Sequence, residues 1–257
     1  MCQTANETCF QTPDARKPIV IPNVPKRSLF FPWMSFAFLA VALAGFSTTF
    51  FLPLFRGTFQ APAIIYVHGA LLFAWLLLFI AQAQLVRTRQ VPLHRRLGWA
   101  GAALGVAIVG SGIAVGFHAT ARDLAAGGGD DARGQLVNIV IEMLVFGALV
   151  AAAVAVRRDR ESHKRLLLLA TISILGPAWF RFRHFLPGLP NPLVVLSLVA
   201  DSILLVAIAY DLFAYRRVHP VYLWVGGAMV AVHMTELFAS ESALWLRVSR
   251  TLLGEAG

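Results

Sequence analysis

Cysteine and charged residues are scarce in this chain of 257 residues. With only two cysteines, the chain cannot be a small fold held together by several disulfides. Charged residues make up 14% of it, against about 25% in an ordinary soluble domain, which excludes an ordinary soluble enzyme. Hydrophobic residues make up 58% and the mean hydropathy is +0.70, so a disordered chain is excluded too. The composition is that of a polytopic membrane protein.

Seven apolar segments are long enough for helices that cross the hydrocarbon core, which takes roughly 20 residues. The predicted spans are 30–51, 63–85, 97–117, 136–156, 166–179 with an extension toward 184, 192–212 and 221–239. Their continuous apolarity excludes the alternating strands of a membrane barrel. The predicted fold class is therefore all-α, a polytopic membrane protein with a seven-helix transmembrane domain over residues 30–239.

The basic residues indicate how these spans are oriented. With the N-terminus inside, 15 of the 22 Lys and Arg residues fall on inner segments, so the positive-inside rule favours N-in and C-out. We expect these cations to meet anionic lipids at the inner face of a bacterial cytoplasmic (inner) membrane. Their dispersal over four segments argues against nucleic-acid binding. A membrane-protein partner or a homo-oligomer stays open.

Two polar regions flank the predicted transmembrane domain. Residues 1–29 contain four prolines and are predicted to be a flexible cytoplasmic tail, in which Cys2 and Cys9 are reduced thiols. Residues 240–257 are predicted to form a short interfacial amphipathic helix and a tail. The apolar face of that helix carries Leu244, Trp245, Val248 and Leu252.

Ionisable side chains inside the predicted spans are few, and each costs about 2.5–3.5 kcal/mol to insert. They are His68, Glu142, Asp201, His233 and Glu236, with Arg181, Arg183 and His184 at the end of the fifth span. Nearly all fall in the predicted outer half, which indicates one polar cavity that opens outward. Alternatively, Glu142 forms a packing ion pair with Arg181 or Arg183. Asp211, near the inner end of the sixth span, is expected to snorkel or to pair with Arg216.

A set of spaced residues carries a resemblance to known proteins. His68, Trp75 and Gln82 follow one another at intervals of seven on one face of the second span. A basic segment, His94-Arg-Arg-Leu-Gly98, comes next, and His163-Lys-Arg-Leu166 leads later to Arg181. The pattern resembles an uncharacterised family of bacterial predicted multi-span integral membrane proteins over about residues 60–185. The resemblance implies a multi-span bundle without an established activity, and Leu167 stands where that family is expected to have methionine.

The first functional hypothesis is a redox protein that binds haem b or a quinone between its helices. Imidazoles from two helices can ligate haem iron axially, and His68, His184 and His233 are the candidates. The same hypothesis assigns Arg181 and Arg183 to haem propionates. Trp75 and Gln82 complete the predicted cofactor-binding residues.

The second hypothesis is a metal-dependent membrane hydrolase that acts on a lipid or an amide. Zinc or iron would need about three protein ligands and an open position for water. The candidate ligands are His68, His233, Glu236 and Glu142. Seven spans with an inner N-terminus are similar to the ceramidase and adiponectin-receptor type. However, the combined Ser, Asp and His-x3-His pattern of that type is missing, since position 237 is Leu.

The third hypothesis is a proton-coupled carrier, or a non-enzymatic membrane subunit. Glu142, Asp201 and Glu236 would then form a proton relay, because carboxyl groups within membrane helices are typical of proton pathways. No inverted repeat of the transporter kind is visible in the sequence. Because only some of these hypotheses describe an enzyme, the sequence leaves open whether the protein is one.

Overall fold

The computed structural model describes residues 28–254, and every regular element in that range is helical. The α-helices are α1 Phe30–Phe46, α2 Leu52–Phe55, α3 Ala63–Arg87, α4 Val91–Ala125, α5 Gly129–Ala155, α6 Arg160–Ser173, α7 Gly176–Phe180, α8 Pro192–Tyr215, α9 Gly227–Ala239 and α10 Ala243–Leu252. π-Helical turns connect α1 to α2 and precede α9, and a 3₁₀ turn follows α7. The prediction of an all-α fold is confirmed. Cys2, Cys9 and most of the predicted tail lie outside the described residues.

Six helical stretches of the described residues are long and apolar enough to cross a membrane. They are Phe30–Phe55, Ala63–Arg87, Val91–Ala125, Gly129–Ala155, Arg160–His184 and Pro192–Tyr215. These stretches coincide with the first six predicted spans, as expected for a multi-pass membrane protein. The seventh predicted segment is also helical, from the π-helical turn Val221–Gly226 into α9, but it is not among the six. The seventh span and the N-in orientation stay predictions.

Helices α3 and α4 pack antiparallel through glycines that repeat the seven-residue interval of the α3 motif. The neighbouring pairs are Gln82 with Gly98, Trp75 with Gly105, and His68 with Gly112. A Cβ atom at Gly112 would lie only 3.1 Å from Cε1 of His68. At Gly105 and Gly112 a Cβ atom would lie still closer to Val150 and Met143 of α5. The missing side chains on α4 therefore make room for both α3 and α5, as small residues do between membrane helices.

The connection between α4 and α5 is shorter than predicted. Helix α4 continues to Ala125 and α5 already begins at Gly129, seven residues before the start predicted for the fourth span. Glycine at 127 and at 129 takes positive φ angles of 88° and 53°, which allows the tight turn. Because α5 starts at residue 129 instead of 136, Glu142 lies near the middle of its helix and not within two turns of its end.

A complete break separates α6 from α7 just before Gly176-Pro177. Pro177 has no N–H group to donate to the carbonyl of Ser173, and α6 ends at that residue. The short α7 then packs so closely on α1 that a Cβ atom at Gly45 would overlap the carbonyl oxygen of Ala178. The break therefore fixes α7 between α1 and the rest of the bundle.

The C-terminal helix α10 packs on the first turn of α5. Trp245 donates a hydrogen bond from Nε1 to the carbonyl oxygen of Arg133 at 2.9 Å. An ion pair of 3.1 Å joins Arg250 to Asp130. The helix predicted after the last span is thus present and attached to α5, while its position at a membrane interface stays a prediction.

Candidate functional site

Four of the predicted ionisable residues come together from three helices. His233 on α9 forms a hydrogen bond of 2.8 Å between its Nδ1 and Oδ1 of Asp201 on α8. Glu142 on α5 is close enough to interact electrostatically with Glu236 of α9, with His233 and with Asp201. We call Glu142, Asp201, His233 and Glu236 the carboxylate cluster.

Helices α5 and α9, which both contribute to this cluster, pack against each other. Gly134 lies against the main chain of Ser240, so that a Cβ atom there would be 2.7 Å from the Ser240 carbonyl oxygen. Further along α5, Glu142 interacts with Glu236 and His233, which shows that the two helices run antiparallel. Asn138 follows Gly134 by one turn of α5.

Two carboxylate oxygens of this cluster have no hydrogen-bond donor among the described residues. Asp201 Oδ2, Glu236 Oε1 and Asn138 Oδ1 are buried, and none accepts a hydrogen bond from the part of the chain that the structure describes. Asp201 and Glu236 are only 6% and 9% exposed. The ring Nδ1 of His233 is already engaged with the other oxygen of Asp201. Unpaired buried acceptors are costly, so a bound proton, water or cation would stabilise these oxygens.

The break between α6 and α7 provides the space for Glu142. A Cβ atom at Gly176 would lie 3.0 Å from Oε1 of Glu142, so the carboxyl group rests directly on the glycine main chain. Any larger residue at position 176 would compete with the carboxyl group for this space. The proline-induced break and the carboxylate cluster are therefore parts of one arrangement.

The arginines at the end of the fifth predicted span are engaged elsewhere. Arg181 donates from Nε to Thr49 Oγ1 at 3.1 Å and from Nη1 to the Pro177 carbonyl at 2.7 Å. Its guanidinium lies 4.1 Å from the ring centre of Phe46. Arg183 bonds the carbonyl of Phe180 at 3.0 Å. Within residues 28–254 neither arginine forms an ion pair with Glu142, so the alternative of a packing ion pair is wrong.

The predicted residues of α3 lie along the α3–α4 contact and not at the carboxylate cluster. His68 Nδ1 is 2.9 Å from Ser111 Oγ, which also donates to the carbonyl of its own helix. Trp75 donates from Nε1 to Thr171 Oγ1 at 3.2 Å. The amide oxygen Oε1 of Gln82 is buried without a partner in the described range. These residues hold three helices together, and a cofactor role for them stays a prediction.

The structure gives no support to the predicted metal site. The proposed ligands His68, His233, Glu236 and Glu142 do not form one group, because His68 bonds to α4. Among the residues described, no group of three or more His, Cys, Asp or Glu side chains is arranged to hold a metal ion. His184 ends the 3₁₀ turn after α7, and no described contact brings it to His68 or His233.

A buried ion pair at the other end of the bundle was missed by the sequence reasoning. Arg165 binds Asp211 through two hydrogen bonds, Nε to Oδ2 at 3.0 Å and Nη2 to Oδ1 at 2.6 Å. The two side chains are 2% and 1% exposed. The prediction that Asp211 pairs with Arg216 is therefore wrong, because its partner is Arg165. The helical periodicity of the sequence could have indicated that Arg165 is buried, because it shares a helix face with the buried Leu168 and Leu169.

His219 completes the surroundings of this ion pair. Its main-chain N–H donates to Asp211 Oδ2 at 3.1 Å, and its Nδ1 accepts from the N–H of Val221 at 3.3 Å. Burial, followed by the nearby Arg165 cation, lowers the pKa of the His219 imidazole. A neutral ring suits the accepted hydrogen bond, so Arg165 carries the positive charge that balances Asp211.

Comparisons of this chain with protein-family models, with curated proteins and with solved structures found no match. The resemblance of the α3 motif therefore stays a prediction.

Proposed function

We propose that this chain is a proton-coupled membrane carrier whose exchangeable protons are held by the carboxylate cluster. The observation that carries the proposal is the gathering of three carboxyl groups and one imidazole from three helices, with no arginine or lysine contact among the described residues. Carboxyl groups at membrane depth are typical of proton pathways.

Charge balance supports this proposal. Full ionisation of Glu142, Asp201 and Glu236 would place three negative charges within interaction range in a medium of low polarity. Such charges are costly unless they are paired or neutralised. With Arg181 held on Thr49 and the Phe46 ring, bound protons are the neutralising partner that the protein itself can always obtain from water.

The proposal includes the topology predicted from the sequence. Seven spans with the N-terminus inside, in a bacterial inner membrane, put the starts of α3 and α5 on the outer side. The cluster then lies near the middle of α5, and protons reach it from outside. Alternating exposure of such a site to the two sides is how carriers couple a proton to a second solute.

Proton release after a rapid rise in pH tests this proposal. The protein is placed in lipid nanodiscs, and a pH-sensitive dye counts the protons that it releases. The rise starts near neutral pH, at which exposed carboxyl groups are already ionised. We expect Glu142→Gln, Asp201→Asn and Glu236→Gln each to release fewer protons than the wild type, because each variant removes one carboxyl group from the cluster that shares the bound protons. The exposed Glu241→Gln serves as the matched control. Release from the triple variant equal to that from the control variant would contradict the proposal.

A redox protein that binds haem b or a quinone is the second candidate. One observation favours it: Asp201 holds Nδ1 of His233, which leaves Nε2 as the atom that would ligate iron. Metal-ligating histidines commonly donate their other ring nitrogen to a carboxylate. A Soret absorption band in the purified protein that disappears in His233→Gln assigns the site to haem instead of to protons alone.

A further inference from the structure

We infer that Arg181 and Arg183, on the 3₁₀ turn after α7, bind the phosphate group of a membrane phospholipid. The inference goes beyond the proposed function and does not depend on it. In the part of the chain that the structure describes, neither arginine forms an ion pair with the carboxylate cluster.

The first argument is the unbalanced positive charge at this turn. Arg183 is close enough to Arg181 for the two cations to repel each other. Among residues 28–254 no Asp or Glu side chain forms an ion pair with either of them. Charged groups in or near a membrane are costly when they are unpaired. An anion from outside the chain would therefore stabilise this turn.

The second argument is that both guanidinium groups have fixed positions. Arg181 donates to Thr49 Oγ1 at 3.1 Å and lies 4.1 Å from the ring centre of Phe46 on α1. The guanidinium of Arg183 is 3.9 Å from the ring centre of Phe180. Cation–π contacts of this kind hold an arginine in place without neutralising its charge.

The third argument is the number of N–H groups that stay available. Each guanidinium has five N–H donors, and the protein accepts two hydrogen bonds from Arg181 and one from Arg183. The other donors of these two groups have no acceptor within the described range. Arginine binds phosphate through charge-assisted and often bidentate hydrogen bonds. The pair of arginines therefore suits an anion with several oxygens.

The position of the turn identifies a lipid as the source of the phosphate. Arg181 and Arg183 lie in the last turn of Arg160–His184, one of the stretches long and apolar enough to cross a membrane. The ends of such stretches lie at the level of the lipid headgroups. Large apolar side chains that follow Arg183 or Thr49 along the chain are exposed. They are Phe185, Leu186, Leu52, Leu54 and Phe55. A phospholipid matches both features, because its acyl chains contact apolar side chains while its phosphate meets the cations.

Native mass spectrometry of the full chain in detergent tests the inference by counting bound lipids. Dioctanoyl phosphatidylglycerol supplies phosphate and acyl chains, dioctanoylglycerol supplies the chains alone, and inorganic phosphate supplies the anion alone. We expect the wild type to retain phosphatidylglycerol in preference to dioctanoylglycerol. The double variant Arg181→Gln, Arg183→Gln should retain one phosphatidylglycerol fewer. The affinity of that site should fall about tenfold or more, which corresponds to roughly 1.4 kcal/mol or more.

Two single variants complete the test. Arg247→Gln changes an exposed arginine on α10 and should retain as many lipids as the wild type. Arg183→Gln leaves the bond from Arg181 to Thr49 intact, so α7 stays attached to α1, and its lipid affinity should still fall.

Three results would each overturn the inference. The first is a double variant, or a folded Arg183→Gln protein, that binds phosphatidylglycerol as the wild type does. The second is equal retention of dioctanoylglycerol, because apolar contacts would then be sufficient. The third is displacement of the arginine-dependent lipid by inorganic phosphate at millimolar concentration, which would assign the site to a soluble anion.

Discussion

Arg165→Met should lower the free energy of unfolding by about 3–5 kcal/mol, the largest effect that we expect from a single substitution in this chain. The reason is that Asp211 would keep its charge at 1% exposure and lose both hydrogen bonds from the guanidinium. Only the main-chain N–H of His219 would still contact that carboxylate. Unfolding in a mixed detergent titration, followed by circular dichroism, measures the change.

Two further variants separate loss of the ion pair from loss of side-chain packing. Arg160→Met changes an exposed arginine on the same helix, and it should alter the stability by less than about 0.5 kcal/mol. In the double variant Arg165→Met, Asp211→Leu no buried charge is left unpaired, so stability should recover in part. An Arg165→Met protein as stable as Arg160→Met would contradict the role that we assign to the pair.

Gly45→Ala should destabilise the bundle by about 3 kcal/mol, in the upper part of the range for overpacked positions. The added Cβ would overlap the carbonyl oxygen of Ala178, and a main-chain atom cannot move aside as a flexible side chain can. Relief of the overlap requires α7 to shift from α1. Because α7 also carries Gly176 against Glu142, we expect the proton release of this variant to change together with its stability.

Gly69→Ala is the matched control for this prediction. A Cβ atom at Gly69 in α3 has no neighbour within 4 Å. Alanine is more favourable than glycine in a helix by about 0.8–1 kcal/mol, so this variant should be as stable as the wild type or more stable. If the Gly45→Ala protein unfolds at the same temperature as the Gly69→Ala protein, α1 and α7 are not in close contact.

The membrane-spanning helices could be predicted from the sequence, because the length and apolarity of a segment determine whether it can cross a membrane. Six predicted spans coincide with helices long and apolar enough to cross a membrane. The wrong predictions concern the positions of helix ends, where glycines and charged residues give a helical segment the composition of a loop. The segment at 129–135 is helical because Gly127 and Gly129 turn the chain tightly and Asp130 and Asp131 suit a helix N-terminus.

The candidate site was predictable only in part, because spacing along one helix does not reveal partners on another. Glu142, Asp201, His233 and Glu236 were candidates because ionisable side chains are costly to insert into a membrane. The structure brings these four residues together. His68 was predicted to join them, but its ring is hydrogen-bonded to Ser111 on α4 instead. Arg165 was missed because its basic neighbours made it look like an anchor at the membrane surface.

Infrared spectroscopy of the protonated carboxyl group tests the central claim most directly. A protonated carboxyl group has a C=O stretching band that ionised carboxylates lack, and the band shifts in heavy water. We predict such a band at neutral pH in the nanodisc-embedded wild type and in Glu241→Gln. It should diminish in Glu142→Gln, in Asp201→Asn or in Glu236→Gln. A neutral-pH spectrum without this band, or one that all three variants leave unchanged, would show that the carboxylate cluster holds no proton.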